Sequence, residues 1–559
     1  MTSTAAGPGP ADPRFSDEQL AALRAYGGPR RVPAGAVVYS PADERNDLLV
    51  VLSGEIAVGD ESPDNEVEFA RFGSRGFVGE LNLLTGQRPY VTARAAVDSE
   101  LLAVPVDRLR ELLDRETDLA DLLVTAMIAR RRLRLAGARD APFEIIGTDR
   151  SEASLALRTF LNRNTIPYRW VDVDAEGGPD ELASAGATRA DLPVVVHPGG
   201  VLLRCTPGRL AEVLGLAQLP GDDLLYDVAV VGAGPAGLAA AVYGASEGLR
   251  VAVFDATGPG GQAGTSSRIE NYLGFPDGIS GAELTTRATI QAQRFGARLN
   301  SPCRITGIEP QPRGFTVLVG DDTRLSARTV VVATGAQYRR LPLENWDRLE
   351  GAGIYFAATE LEAGLSAGGP VFVLGGGNSA GQAALFLARR CTSVTIVIRR
   401  ESLAESMSQY LVDRIDAHPV IRLASSTVVE AVDGGEHLET VALRHTPTGV
   451  VSEAPARGLF CFIGARPATG WLPVEVDRDD DGFIRTDVAL GGSRLPYETS
   501  LDGVFAAGDV RLGSMKRVAA AVGEGSSVIR SVHQYLTERT DRDGTEDPSE
   551  GRPAPVAGG

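Results

Sequence analysis

Two glycine-rich turns in the second half of the chain have residue types and spacing that suit the binding of dinucleotides. An apolar run of strand length, 227–231, leads directly into the sequence GAGPAG and then into an alanine-rich helical stretch. Glycines at such a turn let backbone N–H groups and a helix N-terminus approach a pyrophosphate without Cβ clashes. A second apolar run, 251–254, ends in a carboxylate that can accept hydrogen bonds from a ribose hydroxyl pair. The predicted binding residues of this first turn are Gly232, Gly234, Pro235, Ala236, Gly237 and Asp255.

The pattern recurs further along the chain, with different residues at the end of its second strand. The run 371–374 leads into GGGNSA and a helix, and the next strand, 394–398, ends in two arginines. Because a basic pair can bind a 2′-phosphate bidentately, this second site is predicted to prefer NADPH to NADH. Its predicted binding residues are Gly375, Gly377, Asn378, Ser379, Ala380, Arg399 and Arg400. Two such turns, each between a strand and a helix, indicate two Rossmann-like domains.

A third element completes a family pattern. An apolar strand after Thr499 delivers the pair Gly508-Asp509. With the two turns, this pair makes the region from about 226 to 535 resemble the two-domain thioredoxin reductase family of FAD- and NADPH-binding enzymes. The resemblance implies that the first turn holds FAD, the second holds NADPH, and Gly508 and Asp509 reach the ribityl and pyrophosphate of FAD. Other residues match segments that line the flavin in that family: Gly261, Gln262, Asn271, Thr334, Gly335, Arg517, Val518 and Ala519.

The same resemblance reveals that the family's disulfide is missing. Between Gly353 and Gly364 the chain reads GIYFAATELEAG, so Ala357 and Glu360 stand where the family has the two cysteines of CATC. Dispersed single cysteines are ordinarily small core residues, and none of the four here has CxxC spacing: Cys205, Cys303, Cys391 and Cys461. Glu360 has two interpretations. Above the flavin it could transfer protons, and elsewhere it would be a solvated helix residue.

The expected fold class is multidomain α/β: a β-roll with a long helix, a thioredoxin-like α/β module, then two Rossmann-like domains. An FAD-binding domain in two parts, 223–340 and 455–540, is expected to enclose an NADPH-binding domain at 341–454. In such a fold the two domains rotate before the nicotinamide can reach the flavin. The tail, 541–559, is rich in Asp, Glu, Gly and Pro and is expected to be disordered.

The first module, 14–138, has short β-rich runs followed by a long amphipathic helix and is similar to the cyclic-nucleotide-binding domain. The sequence GFVGELNLL resembles the start of the phosphate-binding cassette, and Glu80 matches the glutamate that takes the ribose 2′-OH. The end of the cassette departs from the family, because Arg88-Pro-Tyr inverts the Pro-Arg order and puts Tyr90 where a small hydroxyl would bind phosphate. Either Arg88 reaches a cyclic phosphate from a shifted register, or the domain is purely structural.

The second module, 142–220, has the β-α-β order of a glutaredoxin or thioredoxin fold, with Pro193 opening a strand. Ser151 and Ser154 have CxxC spacing at the expected redox site, but hydroxyls cannot form a disulfide. Serine at a helix N-terminus typically caps the helix. The module is therefore predicted to be a packing or docking domain.

Composition excludes several classes of partner. The formal net charge of −18 argues against nucleic acid and anionic membranes, and no apolar run approaches the roughly 18 residues that span a bilayer. The N-terminus lacks the pattern of a signal peptide, and the sparse cysteines suit a reducing cytoplasm. The five histidines show no metal-ligand spacing, so no metal site is expected.

These features predict an NADPH-dependent FAD oxidoreductase that lacks an internal redox disulfide. Its electrons would pass from the flavin to oxygen, a quinone, an electron carrier or a small organic molecule. The alternative is a signalling flavoprotein that senses a cyclic nucleotide and turns over incidentally. Similarity to the family also suggests a homodimer.

Overall fold

The fold is described from a computed structural model that covers residues 9–43, 46–62, 65–80, 82–85, 87–136, 141–149, 151–216, 224–266, 268–269, 271–320 and 323–543. Most of the predicted tail, from 544 onward, lies outside these residues. The first three positions of that tail are helical, because the last helix continues to Asp543. The prediction of disorder is therefore wrong for these three residues.

The N-terminal domain is a β-roll of two antiparallel four-stranded sheets, ordered β1-β8-β3-β6 and β2-β7-β4-β5. A long helix follows the sheets, as the sequence predicts. The elements are α1 (Asp17–Leu23), β1 (Gly28–Val32), β2 (Val37–Tyr39), β3 (Leu48–Ser53), β4 (Glu55–Ser62), β5 (Asn65–Gly73), β6 (Phe77–Val78), α2 (Asn82–Thr85), β7 (Thr92–Ala95), β8 (Ser99–Val104), α3 (Val106–Arg115) and α4 (Thr117–Ala136).

The second domain has one sheet, ordered β10-β9-β11-β12, in which β10 is parallel and β11 antiparallel to β9. Its elements are β9 (Phe143–Gly147), α5 (Glu152–Arg163), β10 (Tyr168–Asp172), α6 (Gly178–Ser184), β11 (Val194–His197), β12 (Gly200–Leu202) and α7 (Pro207–Leu214). Ser151 is the N-cap of α5, and its hydroxyl accepts a hydrogen bond from the Ser154 N–H. Leu192-Pro193 is a cis peptide.

The third domain is built on a seven-stranded sheet with a parallel core, β15-β14-β13-β18, to which β29 adds in parallel. Its first part contains β13 (Leu225–Val231), α8 (Pro235–Ser246), β14 (Val251–Phe254), α9 (Gly281–Arg294), β15 (Arg298–Asn300), β16 (Ile305–Gln311), β17 (Gly314–Val319), β18 (Thr323–Val332) and β19 (Ala336–Tyr338). The inserted fourth domain then contains α10 (Trp346–Leu349), β20 (Ile354–Tyr355), α11 (Glu360–Leu365), β21 (Pro370–Leu374), α12 (Asn378–Leu387), β22 (Ser393–Val397), α13 (Gln409–Asp416), β23 (Ile421–Ala424), β24 (Thr427–Asp433), β25 (Thr440–His445), β26 (Val451–Pro455) and β27 (Gly458–Cys461). The chain returns to the third domain through β28 (Ala465–Pro467), β29 (Val504–Ala506) and α14 (Val518–Asp543).

The return crossing lies later than the sequence suggested. The predicted boundary at 454/455 is wrong, because β27 pairs in parallel with both β20 and β21 and so belongs to the sheet of the inserted domain. The two chain crossings lie side by side, since β19 and β28 form an antiparallel two-stranded ribbon between the domains. This ribbon fixes where the inserted domain is attached.

The four domains share packed interfaces. One apolar core contains residues of both the β-roll and the thioredoxin-like module, and the rings of Tyr90 and Phe143 meet edge-on with centroids 6.2 Å apart. Ile290 of α9 belongs to the core beneath α3 and α4. Polar contacts follow the same junctions, as when Arg131 Nη1 donates to the Thr165 carbonyl at 3.0 Å. The N-terminal half is therefore seated on the third domain.

Candidate active site

A cleft of about 1300 Å³ lies between the third and fourth domains. Its walls come from the first glycine turn, the loop after β14 and the ribbon. The connection between β20 and α11, the start of α12 and the segment that leads into α14 complete them. The predicted residues in its lining are Gly232, Gly234, Pro235, Ala236, Asp255, Gly261, Gln262, Thr334, Gly335, Ser379, Asp509, Arg517 and Val518. Both dinucleotide turns thus contribute to one cleft.

The first turn has the geometry of a pyrophosphate cradle. Gly232 has φ +107°, and a Cβ there would lie 2.3 Å from the Ala333 carbonyl oxygen, so the position requires glycine. Helix α8 starts directly after Gly234, and its first N–H groups have no partner within the helix. A bound dinucleotide would satisfy these groups.

Asp255 lines the cleft at the end of β14 and also organises the surrounding loops. Its Oδ2 accepts from the Ala233 N–H at 2.9 Å, and its Oδ1 accepts from the N–H groups of Thr257 and Gly258 at 3.0 and 2.8 Å. A carboxylate oxygen has two lone pairs, so Oδ2 keeps acceptor capacity for a ribose hydroxyl. The residue fits its predicted role and fixes the turn as well.

The cleft also has an aromatic wall that suits a flat ring system. Tyr338 and Phe356 stack with ring centroids 5.5 Å apart and an interplanar angle of 8°. Burial raises the pKa of Tyr338. Gln262 Nε2 donates to the Ala336 carbonyl, which ties the loop after β14 to the ribbon. Lys516, Arg517 and Val518 also line the cleft.

The Gly508-Asp509 turn is held by an ion pair that the sequence reasoning missed. The Gly508 N–H donates to Glu524 Oε2 at 2.7 Å, and Arg511 Nη2 lies 2.8 Å from Glu524 Oε1. Asp509 lines the cleft, and burial raises its pKa. Arg511 and Glu524 are 13 residues apart and form no motif, so nothing in the linear pattern could have revealed the pair.

The second turn presents its helix to the same cleft. Gly375 has φ +135°, and a Cβ there would lie 2.3 Å from the Phe462 carbonyl oxygen. Ser379 lines the cleft, whereas Asn378 is engaged with Ser408 through two hydrogen bonds of 2.9 and 2.7 Å. The exposed pair 399–400 follows β22, at the same edge of the parallel sheet as the turn after β21. That position agrees with a site for the adenosine end of NADPH.

The position of the missing disulfide also faces the cleft. Ala357 and Ala358 are in the lining, and Ala358 forms a parallel bridge with Ser266 of the third domain. Glu360 is not in the lining. Its side chain is 68% exposed and its carboxylate pairs with Arg390, so the geometry does not place it above a flavin.

The four cysteines are all free and buried. Cys303 is in the cleft lining, but burial raises the pKa of its thiol to about 12. Because the thiolate is the reactive form, this residue is inert near neutral pH. Burial likewise raises the pKa of Cys205 and Cys391 to about 11. None of these thiols can replace the missing pair.

Of the predicted NADPH-binding residues only Ser379 lies in the lining of the cleft, and four of the predicted flavin-binding residues lie outside it. Gly237 and Gly508 support the turns from behind, whereas Asn271 and Ala519 are exposed. The lining also contains residues that the sequence reasoning did not select, among them Arg163, Tyr338, Phe356, Gln382 and Trp471.

In the segment that resembles the cyclic-nucleotide cassette, Tyr90 contacts the glutamate that the sequence predicts to bind a ribose. The Tyr90 hydroxyl donates to Glu80 Oε2 at 2.9 Å, and the Tyr90 side chain is buried. The guanidinium carbon of Arg131 lies 5.4 Å from the centroid of the Tyr90 ring. The Arg88 N–H donates to the Leu214 carbonyl at 3.0 Å, so this part of the cassette contacts the thioredoxin-like module.

Neither a metal site nor a membrane-spanning helix is found among the described residues. No group of three or more His, Cys, Asp or Glu side chains there could hold a metal ion. None of the helices in the same part of the chain is both long and apolar enough to cross a membrane.

Comparisons with known proteins agree with this geometry. Residues 226–525 match the family model "Pyridine nucleotide-disulphide oxidoreductase", and residues 29–116 match "Cyclic nucleotide-binding domain". The thioredoxin reductase of Streptomyces clavuligerus is 36% identical over 324 residues, which cover 58% of this chain and 98% of that protein. The thioredoxin reductase of Mycolicibacterium smegmatis is 34% identical, over 57% of this chain and 99% of that protein.

Solved structures give the same result. The thioredoxin reductase of Lactococcus lactis in the FR conformation has a TM-score of 0.52 and 28% identity, and it covers 56% of this chain and 99% of that one. The enzyme of T. acidophilum has a TM-score of 0.52, 30% identity and the same coverage.

The fold and cleft define a two-domain flavoprotein oxidoreductase with a nicotinamide-binding insertion. The chain belongs to the pyridine nucleotide-disulphide oxidoreductase family and carries an N-terminal cyclic nucleotide-binding domain. It is a thioredoxin-reductase-like oxidoreductase of the class that uses FAD and NADPH.

Proposed function

We propose that electrons leave this protein directly from its flavin to an external acceptor and do not pass through a disulfide of the inserted domain. The observation that carries this proposal is at the position of the family's cysteine pair. Ala357 lies in the cleft wall without a thiol, and Glu360 points away from the cleft to Arg390. When bound, FAD supplies hydride acceptance from NADPH and electron transfer to the acceptor.

The residues of this chain bind and align the two nucleotides. The first turn and α8 present N–H groups to a pyrophosphate, and Tyr338 with Phe356 forms an apolar wall at the flavin end. Ser379 and Gln382, at the start of α12, bring the NADPH turn to the same cleft. This alignment favours a short path between nicotinamide and flavin.

The charge of the cleft limits the chemistry of the acceptor. Its lining has eight basic and three acidic side chains, although the whole chain has a net charge of −18. Such a cleft attracts the phosphates of both cofactors and favours a neutral or anionic acceptor. Oxygen, a quinone, an electron carrier or a small organic molecule are the classes to test.

Rapid mixing tests the proposal. FAD-loaded protein is mixed anaerobically with NADPH or NADH, and flavin absorbance is followed before and after air is admitted. We expect fast bleaching that is selective for NADPH. A thioredoxin-dependent thiol assay with NADPH is expected to give no turnover at the rate of a CxxC enzyme, and turnover at that rate would contradict the proposal.

A gain-of-function variant provides a matched control. Ala357→Cys combined with Glu360→Cys restores the spacing of the family. We expect NADPH to generate two additional titratable thiols per chain in this variant and none in the parent. If the parent also gained two thiols, a cysteine pair would be active in the native chain and direct transfer would be wrong.

A second candidate function is regulation by a cyclic nucleotide, favoured by the match of residues 29–116 to the binding family. In this proposal Glu80 takes the ribose hydroxyl and Arg88 the cyclic phosphate, and the ligand must displace Tyr90 from Glu80. Calorimetric titration with cAMP and cGMP tests it, with Glu80→Ala as the control. If neither nucleotide binds, both the regulated enzyme and the signalling alternative are excluded.

The proposal also includes the oligomeric state and the cellular location of the protein. A homodimer formed through the third domain is expected from similarity, and light scattering on the eluted protein measures its mass. A cytoplasmic location is expected because the four thiols are free and buried, as suits a reducing compartment. Fractionation of the source cells tests that location.

A further inference from the structure

The thioredoxin-like module places one basic residue in the flavin cleft. Arg163 is the last residue of α5, and it lies in the same cleft lining as Gly232, Asp255 and Thr257. The other cleft residues belong to the third and fourth domains or to the ribbon between them. A module without redox cysteines therefore contributes to the wall of the cofactor site.

The stem of Arg163 packs against the loop that follows β14. A Cβ at Gly258 would lie 3.0 Å from Arg163 Cβ and 3.1 Å from Asn164 Nδ2, so glycine allows this close approach. Asn164 also anchors the module, because its Oδ1 accepts from the Ser301 hydroxyl at 3.2 Å. Both contacts fix the end of α5 on the third domain.

The same loop contacts the first glycine turn. A Cβ at Gly261 would lie 2.8 Å from the Cα of Gly234, the residue that precedes α8. The loop is therefore sandwiched between the end of α5 and the turn that cradles a pyrophosphate. This arrangement puts Arg163 beside the phosphate-binding part of the cleft.

The guanidinium of Arg163 has one buried nitrogen without a hydrogen-bond partner. This nitrogen is Nε, the one that joins the head group to the stem packed on Gly258. Its charge also acts on Tyr338, another residue of the cleft lining, where it opposes the effect of burial on the pKa of that phenol. A buried polar group without a partner is costly, which indicates that a ligand completes the site.

We propose that Arg163 of the thioredoxin-like module donates hydrogen bonds to the pyrophosphate of FAD and so makes this module part of the cofactor site. A planar guanidinium suits two phosphate oxygens and supplies positive charge opposite the N-terminus of α8. The inference rests on the occupation of the cleft by FAD. It assigns a binding role to a domain whose redox chemistry is absent.

FAD affinity of the apoprotein tests the proposal. Arg163→Gln keeps most of the stem and removes the charge, and we expect it to raise the Kd for FAD by about 10- to 100-fold in a fluorescence titration. Arg163→Lys should recover part of this loss. Arg209→Gln, at an exposed position of the same module, is the matched control and should leave the Kd unchanged.

Competing ligands identify the contact. ADP contains the pyrophosphate and adenosine does not, so Arg163→Gln should weaken competition by ADP and leave that by adenosine unchanged. An equal loss for both ligands would overturn the phosphate contact. An FAD Kd equal to that of the parent would overturn the proposal outright.

Thermal unfolding of the apoprotein separates binding from packing. Without FAD, Arg163→Gln should unfold at the parent's temperature or slightly above it, because it removes a buried donor without a partner, whereas the stabilisation by added FAD should shrink. A lower apoprotein midpoint with unchanged FAD affinity would show that Arg163 is only an interface residue. If the parent itself did not bind FAD, the proposed function would fail instead.

Discussion

The cleft proposed for the flavin and the cassette proposed for a cyclic nucleotide differ in how their own side chains surround the expected ligand. The cleft is open, about 1300 Å³, and glycines at its turn keep side chains out of the cradle. In the cassette, the buried Tyr90 donates a hydrogen bond to Glu80, the residue proposed to take a ribose hydroxyl. The difference shows that a family match alone does not indicate a vacant binding site. A ligand can bind only if the polar group that would contact it, such as the Glu80 carboxylate, is not already engaged by another side chain.

The largest expected effect comes from closing the open site. Gly232→Ala puts a Cβ 2.3 Å from the Ala333 carbonyl oxygen at φ +107°. The turn must shift away from the pyrophosphate, and we expect the FAD Kd to rise by at least about 100-fold. Flavin content per purified chain and the apoprotein titration measure this.

Gly364→Ala is the control, since nothing lies within 4 Å of a Cβ there and its φ is ordinary. It should retain full flavin content. If Gly232→Ala also retained it, the first turn would not be the cradle.

The next effect comes from opening the filled site. Tyr90→Ala removes a buried ring from the shared core, and we expect a loss of about 3 to 5 kcal/mol in the free energy of unfolding by urea. Tyr90→Phe keeps the ring and removes the hydrogen bond to Glu80, so its cost should be about 1 kcal/mol.

The same two variants test whether Tyr90 blocks the cassette. Binding of cAMP or cGMP should be tighter for Tyr90→Phe than for the parent, because the Tyr90 hydroxyl no longer competes with a ribose for Glu80 Oε2. Unchanged binding in both variants would show that Tyr90 is not the barrier and that the cassette is structural.

A smaller effect is expected from the ion pair that holds the Gly508-Asp509 turn. Glu524→Gln keeps an acceptor for the Gly508 N–H but removes the charge that pairs with Arg511. We expect the free energy of unfolding to fall by about 2 kcal/mol, with a modest rise in the FAD Kd. Urea unfolding measures the first, and Arg511→Gln in the Glu524→Gln background should add little, because the partners act as one unit.

The smallest effect concerns pH. Burial raises the pKa of Asp509 in the folded protein above its unfolded value, so the folded state binds this proton more tightly. Its contribution therefore lowers stability as pH rises from the ordinary Asp pKa through the raised one. Asp509→Asn should leave the stability of the FAD-free protein unchanged at about pH 4 and should make it more stable than the parent at about pH 8. Urea midpoints that differ most at the acidic end would reverse the sign and contradict the burial argument.

The sequence by itself determined the two dinucleotide turns, the class of flavoprotein and the missing disulfide. These features are local: glycines at fixed spacing between a strand and a helix, and two positions in one short segment where cysteine is replaced. It also indicated both N-terminal modules from short runs of strand and helix pattern. A boundary near 454 was misplaced because β27 follows a hairpin closely, and only its pairing with β20 and β21 assigns it to the inserted sheet.

The tertiary structure alone decided how distant residues meet. Arg163 enters the cleft because the thioredoxin-like module packs the end of α5 on the loop after β14. Glu524 reaches Gly508 because α14 packs behind the turn. Tyr90 contacts Glu80 within the N-terminal domain, but the burial of Tyr90 depends on the core that this domain shares with the thioredoxin-like module. Such contacts join segments far apart in the chain, and no local pattern encodes them, since packing and burial arise only when the domains assemble.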